Sequence, residues 1–327
     1  AETRYRRSTF TPNATLEESM MNVPNSTNDS NTPIGGNEEA SDLTRAEQEV
    51  GYTSKLLVQS LFPYRKQDSK EVVSQNGPLT ITMYSAAGLP YGKYPRLILA
   101  YILTEAVKRA DLPEHEARRV PLGDSLNAFL RTMGLETRGT GGSRGTITLI
   151  REQLKRLMGT AINVESVTSH AGGWDRTQGS NVTIAQSYDL WFHPEADQPA
   201  MQESYIELSP PFFKLLTDAP IPLDLTILRA LDKPRAMDLY IWLTYKKYPL
   251  RKPATYSWGG LQALFGSAIP DSVDGRKNFK RLFRQSLDEV LAEWPSAGVE
   301  LGSDGLTIQP GQPSIARRTP KRGQLNP

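Results

Sequence analysis

The chain of 327 residues contains no cysteine, which excludes disulfides, thiolate metal ligands and cysteine nucleophiles. That absence leaves the redox compartment open and is compatible with a reducing cytoplasm. Histidine is nearly as scarce. The three copies, His115, His170 and His193, stand far apart in polar or loop segments and form neither a paired-histidine metal motif nor the zinc-protease spacing. They read as surface loop residues, and a rolling-circle nickase, which needs clustered histidines and a tyrosine, is disfavoured. No apolar run approaches the roughly 20 residues of a membrane helix, and residues 1–30 lack the apolar stretch of a secretory signal. A soluble, cytoplasmic protein without membrane contact is the expectation.

What is present can bury a sizeable core: 38% of the residues are hydrophobic, and chains of this length commonly divide into two domains. The net charge of +2 conceals an asymmetry. Of 38 basic and 36 acidic side chains, four and nine lie in residues 1–50, so the remainder carries 34 and 27, close to +7. Such a balance permits a polyanionic partner without requiring one. Residues 11–37, rich in Asn, Ser, Thr and Pro and without an apolar period, are expected to be disordered. A basic tail follows residue 316, with four cations in six residues.

Between the tails the apolar pattern repeats. The stretch PRLILAYILTEAVKRA (95–110) predicts a helix behind a proline, GDSLNAFLRTMGL a shorter helix ended by Gly134, and TITLIREQLKRLM (146–158) a third. AINVESVTS and NVTIAQSYDLWF then alternate as a hairpin around a long glycine-rich tip, HAGGWDRTQG. The second copy has the same order. A helix is predicted over 234–248, another in SWGGLQALFG between a Ser257 cap and a Gly266 stop, a third in GRKNFKRLFRQSLDEVLAEWP (275–295), and a short hairpin in VELGSDGLTI with Asp304 and Gly305 in its turn.

Helix, helix, turn, third helix and hairpin is the order of a winged helix-turn-helix, in which the third helix lies in the DNA major groove. The expected fold is therefore α+β, with two tandem winged helix-turn-helix domains. The boundaries are an acidic leader 1–45, a first domain 46–217, a second 218–315 and the basic tail 316–327.

The 275–295 helix carries its charges against its own dipole. Arg276, Lys277, Lys280, Arg281 and Arg284 crowd the first half, and Asp288, Glu289 and Glu293 the second, although the macrodipole favours the reverse. Phe279, Leu282, Phe283, Leu287, Val290, Leu291 and Trp294 centre on one side, so the cations form a separate stripe. A basic flank alone is commonly a solvated surface. Two features favour DNA here: the cations oppose the dipole at a cost of about 0.3 to 1 kcal/mol each, and Arg144, Arg151, Lys155 and Arg156 hold the equivalent place in the first copy.

Two glycine-rich stretches fail as nucleotide motifs. GLPYGKY (88–94) is one residue short of a P-loop and has Tyr94 where a hydroxyl should bind magnesium; GTGGSRG (139–145) does not match the dinucleotide fingerprint and follows no strand. No catalytic constellation is legible, and no enzyme, metal or cofactor is expected.

GLPYGKYPRLILAYILTEAVK, LGDSLNAFLRTMGL, TGGSRGTITLIREQLKRL, IELSPPFFKLL, PIPLDLTILRAL, AMDLYIWLTYKKYPLRKP and NFKRLFRQSL, in that order over residues 55–315, resemble the plasmid-encoded RepA replication proteins. The resemblance implies a plasmid replication protein acting at the plasmid origin. More distantly, the tandem arrangement is similar to initiators with two winged-helix domains. These bind repeated origin sites, dimerise chiefly through the first domain and recruit host replication proteins such as the host initiator and helicase. Carried to this chain, groove reading falls on Arg276, Lys277, Lys280, Arg281 and Arg284, and backbone contact on Arg144, Arg151, Lys155 and Arg156. The same surface would serve a transcriptional regulator bound to an operator, and winged helices also serve as protein-interaction modules.

Overall fold

The computed structural model describes residues 49–76, 79–123, 125–135, 145–170, 174–191, 202–266 and 268–315. The acidic leader, the basic tail and most of the 136–145 loop, with Arg144, lie outside the described residues, and so does His193.

Mixed helix and sheet alternate along the chain. The N-terminal part runs β1 (Val50–Thr53), α1 (Lys55–Gln59), β2 (Glu71–Asn76), β3 (Leu79–Ser85), α2 (Tyr94–Lys108), α3 (Glu114–Ala117), β4 (Arg119–Pro121), α4 (Leu126–Thr132) and α5 (Thr146–Met158). It continues through β5 (Thr160–His170), β6 (Trp174–Thr183), β7 (Ala185–Asp189), β8 (Tyr205–Leu208) and α6 (Pro210–Asp218). The C-terminal part comprises β9 (Ile221–Asp224), α7 (Leu225–Ala230), α8 (Pro234–Lys247), β10 (Ala254–Ser257), α9 (Trp258–Phe265), α10 (Val273–Glu293), β11 (Val299–Leu301) and β12 (Gly305–Ile308).

The helices anticipated from apolar spacing are present with ends moved by a residue or two, and α5 spans the expected 146–158. Local chemistry sets their starts. Ser257 caps α9 by accepting from Gly260 N at 3.2 Å, and Pro95 and Pro234 occupy first turns, where a missing N–H costs nothing. Gly134 turns the chain after α4 at φ 70°, a left-handed conformation that glycine adopts without strain.

The hairpin of the first copy differs from expectation. Its ladder continues to His170↔Trp174, so most of the glycine-rich stretch expected as a tip is strand, including Gly179 opposite Glu165. Backbone pairing of the edge strand β6 to β5 tolerates a glycine that side-chain alternation reads as a break.

Strand pairing also separates the two copies. In the second, β10, β12 and β11 form a three-stranded antiparallel sheet in that order, beside α8, α9 and α10. In the first, β5 and β6 extend a four-stranded sheet β2-β3-β5-β6, whereas β4 joins β8 and β7 in a separate sheet. The strands at 71–85, 119–121 and 254–257 have no counterpart among the elements expected from sequence. β1 pairs with β9, Val50 opposite Asp224, so the start of the described chain is hydrogen-bonded to the start of the C-terminal part.

One buried ion pair also joins the two parts. Arg96 on α2 donates to both carboxylate oxygens of Asp238 on α8, at 2.7 and 2.6 Å, and further to Phe62 O and Gly92 O. Burial raises the Asp238 carboxyl, and the Arg96 charge opposes that shift. Such a pair is not strongly stabilising in sum, but removing either partner strands a charge in the interior.

Candidate nucleic-acid interface

α10 is the longest helix described, and its packing separates two faces. Phe279, Phe283, Leu287 and Val290 are buried; Phe283 meets Trp258 and Phe265 edge-on at 5.7 and 5.8 Å, and Phe279 tilts against it at 5.7 Å. Trp294, just past the helix, packs edge-on against Tyr240. These aromatics are core, as expected. On the other face Arg276, Lys277, Arg281 and Arg284 are exposed and Lys280 is half-buried.

The helix begins earlier than its periodicity suggests. Ser272 is the N-cap, accepting from Gly275 N at 3.0 Å, and Asp274 stands in the first turn. Gly275 is required by contact: a Cβ there would fall 1.9 Å from Pro270 O. The opposed charge pattern is therefore milder than 275–295 alone implies. Arg276 pairs with Asp271 at 2.6 Å, and Lys277 approaches Asp274 at 3.9 Å. The acidic half is explained too. Glu289 Oε1 accepts from the backbone N–H groups of Asp232 and Lys233 at 2.7 and 2.9 Å, at the start of α8, and Glu289 also pairs with Lys233 Nζ at 2.9 Å. A carboxylate from one helix thus serves the positive end of another. Partial burial raises the Glu289 pKa, but the hydrogen bonds and the charge of Lys233 outweigh it and hold the carboxyl below its ordinary value.

The other three cations of the stripe have no acidic partner among the described residues. Arg281 donates to the side-chain oxygens of Asn278 and Gln285 at 2.8 and 3.4 Å, Lys280 lies 4.9 Å from the Trp258 ring centroid, and Arg284 makes neither a hydrogen bond nor an ion pair there. Surface ion pairs such as those of Arg276 and Lys277 are worth about 0 to 1 kcal/mol, so a phosphate can displace the acid.

The basic set of α5 is arranged differently. Lys155 is exposed and Arg151 half-buried, but Arg156 is only 9% exposed. Its guanidinium bonds Glu152 at 2.7 Å, donates to Leu89 O at 3.1 Å and lies 5.4 Å from the Tyr91 ring. Gly88, at φ 88°, leaves room for it, since a Cβ there would meet the guanidinium. Arg156 thus holds the 88–91 loop on α5 and is not presented to a phosphate, which corrects the backbone-contact role expected of it. The same loop is the stretch rejected as a P-loop. Tyr91 N also donates to Gln153 Oε1 at 2.8 Å and Gly92 N to Pro63 O at 3.1 Å, so its glycines serve packing.

The 299–308 hairpin next to α10 carries Glu300 and Asp304 and no lysine or arginine. A further cationic surface near α10 comes from a segment distant in sequence. A cleft of about 560 Å³ opens beside α10, lined on one side by Asn278, Arg281 and Gln285 and on another by Tyr64, Arg65 and Gln67. Among the described residues no group of three or more acidic or histidine side chains could hold a metal ion, and no helix is long and apolar enough to cross a membrane.

Residues 89–259, more than half of the chain, match the family described as plasmid encoded RepA protein. No curated protein matches the chain significantly. A crystal structure of selenomethionine derivatives of domains 2 and 3 of RctB is similar in fold, at 14% identity and TM-score 0.50, covering 78% of this chain and 95% of that one. Another structure of RctB domains 2 and 3 aligns at 13% identity and TM-score 0.48, covering 78% and 96%. The family match spans α2 to β10 and ends before α10, so the cationic stripe lies outside it. On the matched residues, the chain belongs to the plasmid-encoded RepA protein family.

Proposed function

We propose that the chain is a plasmid replication initiator that binds duplex DNA at the plasmid origin without acting as an enzyme, and that α10 is its groove-reading helix. The observation that carries the reading is the division of α10: Lys277, Arg281 and Arg284 follow one another at helical spacing on an outward face, while Phe279, Phe283 and Val290 anchor the opposite face. The surrounding order of helix, strand, helix, helix and two strands, with the first strand paired to the last, supports reading 234–308 as a winged helix. Family membership supports the link to plasmid replication.

In this reading Arg281 and Arg284, lacking acidic partners, approach base edges. Lys280 lies on the Trp258 ring, and Arg276 and Lys277 exchange Asp271 and Asp274 for phosphates. Arg151 and Lys155, with Arg144 before them, add backbone contacts from the first copy. Recruitment of host replication proteins and dimerisation through the first part complete the proposal.

Footprinting of the full chain on its replicon's DNA, at about 150 mM salt with excess competitor, tests it. Evenly spaced protected repeats, abolished on combining Arg281→Ala with Arg284→Ala, are expected. Absence of any protected site in the wild type would overturn the reading and leave the stripe a solvated face.

A further inference from the structure

The cleft beside α10 has a composition that groove reading does not explain. Its lining includes Arg65, Lys233, Arg235 and Arg281 and no carboxylate. Lys233 is held by Glu289, and Arg235 stacks over the Tyr64 ring at 4.5 Å while donating to Phe265 O. Arg65 is exposed and has no ion pair among the described residues, and Arg281 bonds only to neutral side chains. Two cations without acidic partners therefore line one cavity, together with the neutral donors Asn278, Gln285 and Gln67. Apolar side chains, Leu61, Val72, Leu264, Ile269 and Leu282 among them, line the rest of the cleft, and the cations and amides set among them suit an anion with several acceptor oxygens.

We infer that this cleft binds a phosphate group, with Arg65 as its charged ligand on the same cleft as Arg281, and that the segment around Arg65 thereby acts beside α10. The inference rests on the proposed function only for the source of the phosphate. Residues 61–65 and Gln67 belong to the N-terminal part of the chain, yet they line the same cleft as α10. Lys66 and Lys70 are exposed on the same segment together with Asp68, so with Arg65 the cations outnumber the acid there. The neighbouring 299–308 hairpin is acidic, so a duplex lying on α10 finds cations for its backbone on this side instead. A free phosphate compound of similar size offers the same chemistry, and the test separates the two sources.

The test compares full-length wild type, Arg65→Gln, and Lys252→Gln as a control for removing an exposed cation elsewhere. Binding to an origin duplex and to a scrambled duplex of equal length is measured across salt concentrations, and inorganic pyrophosphate is titrated without DNA. If the phosphate is that of the duplex backbone, Arg65→Gln weakens both duplexes alike, on the order of threefold to tenfold, and makes the slope of log K against log salt shallower by about 0.9. Lys252→Gln leaves the slope unchanged. If the ligand is a free phosphate compound, pyrophosphate raises the melting temperature of the wild type and not of Arg65→Gln, while duplex binding stays equal. Equal behaviour of Arg65→Gln and Lys252→Gln in every arm overturns the inference. Should Arg281→Ala with Arg284→Ala still abolish origin binding in that event, the groove-reading proposal survives without the cleft.

Discussion

α5 and α10 are the third helices of the two repeats expected from sequence, and both carry a run of cations, yet their surroundings make different objects of them. On α5 the 88–91 loop lies over the basic flank, and Arg156 is drawn inward to bond Leu89 O and Glu152. On α10 no loop among the described residues holds the equivalent flank in this way, and Arg281 and Arg284 stay in solvent. The comparison teaches that a basic stripe is a property of a helix, whereas a binding surface is a property of what leaves that stripe uncovered. One copy uses its charge partly for internal hydrogen bonding; the other presents it.

The comparison breaks most severely if the apolar side of α10 does not anchor the stripe. Phe283 is fully buried among Trp258, Phe265 and Phe279, so Phe283→Ala is expected to cost about 3 to 5 kcal/mol in denaturant unfolding. A cost below about 1 kcal/mol would show that the helix is not packed as described. Nearly as large is the tie between the two parts. Arg96→Met leaves Asp238 buried without its partner and should cost about 3 to 5 kcal/mol, whereas Arg96→Met with Asp238→Leu should recover most of it.

The comparison is sharpened by a reciprocal pair of substitutions. Arg281→Ala with Arg284→Ala should weaken origin binding by about 1 to 3 kcal/mol for each base-reading hydrogen-bond pair removed, with the unfolding midpoint unchanged. Arg156→Gln should do the opposite, lowering stability by about 1 to 3 kcal/mol as Leu89 O is deprived of its donor, with duplex affinity preserved. Exchange of these two outcomes would reverse the roles assigned to the helices.

The smallest effect concerns the acidic half of α10. The hydrogen bonds and charge that hold Glu289 below its ordinary pKa make its folded-state value lower than its unfolded one. Its contribution is therefore fully present above the unfolded value of about 4.3 and is lost as pH falls through the depressed value. Glu289→Gln should cost about 1 kcal/mol near neutral pH and flatten the stability curve below about pH 4.5. Denaturant titrations of the two proteins at successive pH values measure the difference.

Much of the helical framework is legible in the sequence because amphipathic spacing and caps are local. α2, α5, α8, α9 and α10 follow from apolar residues at three- and four-residue intervals, and Ser257 caps as its neighbours require. The strands are less legible. In β3, Thr80, Thr82 and Tyr84 alternate with buried Leu79, Ile81 and Met83, a two-residue period that is present in the sequence but absent from the expectation; which strands it pairs with is set by the tertiary fold. The start of α10 differs from expectation because Ser272 caps it and Asp274 suits the positive end of the dipole, to both of which apolar periodicity is blind.

The candidate site divides in the same way. Its cations are visible as residues, and the outward place of Arg281 and Arg284 follows from their offset from Phe279 and Phe283 on one helix. The burial of Arg156, the reach of Glu289 to the start of α8 and the placing of Arg65 and Arg281 on one cleft are not visible. Sequence by itself determined the amphipathic helices α2, α5, α8 and α10 and which of their faces are apolar, because those depend on neighbours within a few residues. Tertiary structure alone decided which charges are neutralised, buried or left in a cleft, because the energy of a charge depends on every group within a few ångströms, however distant in the chain.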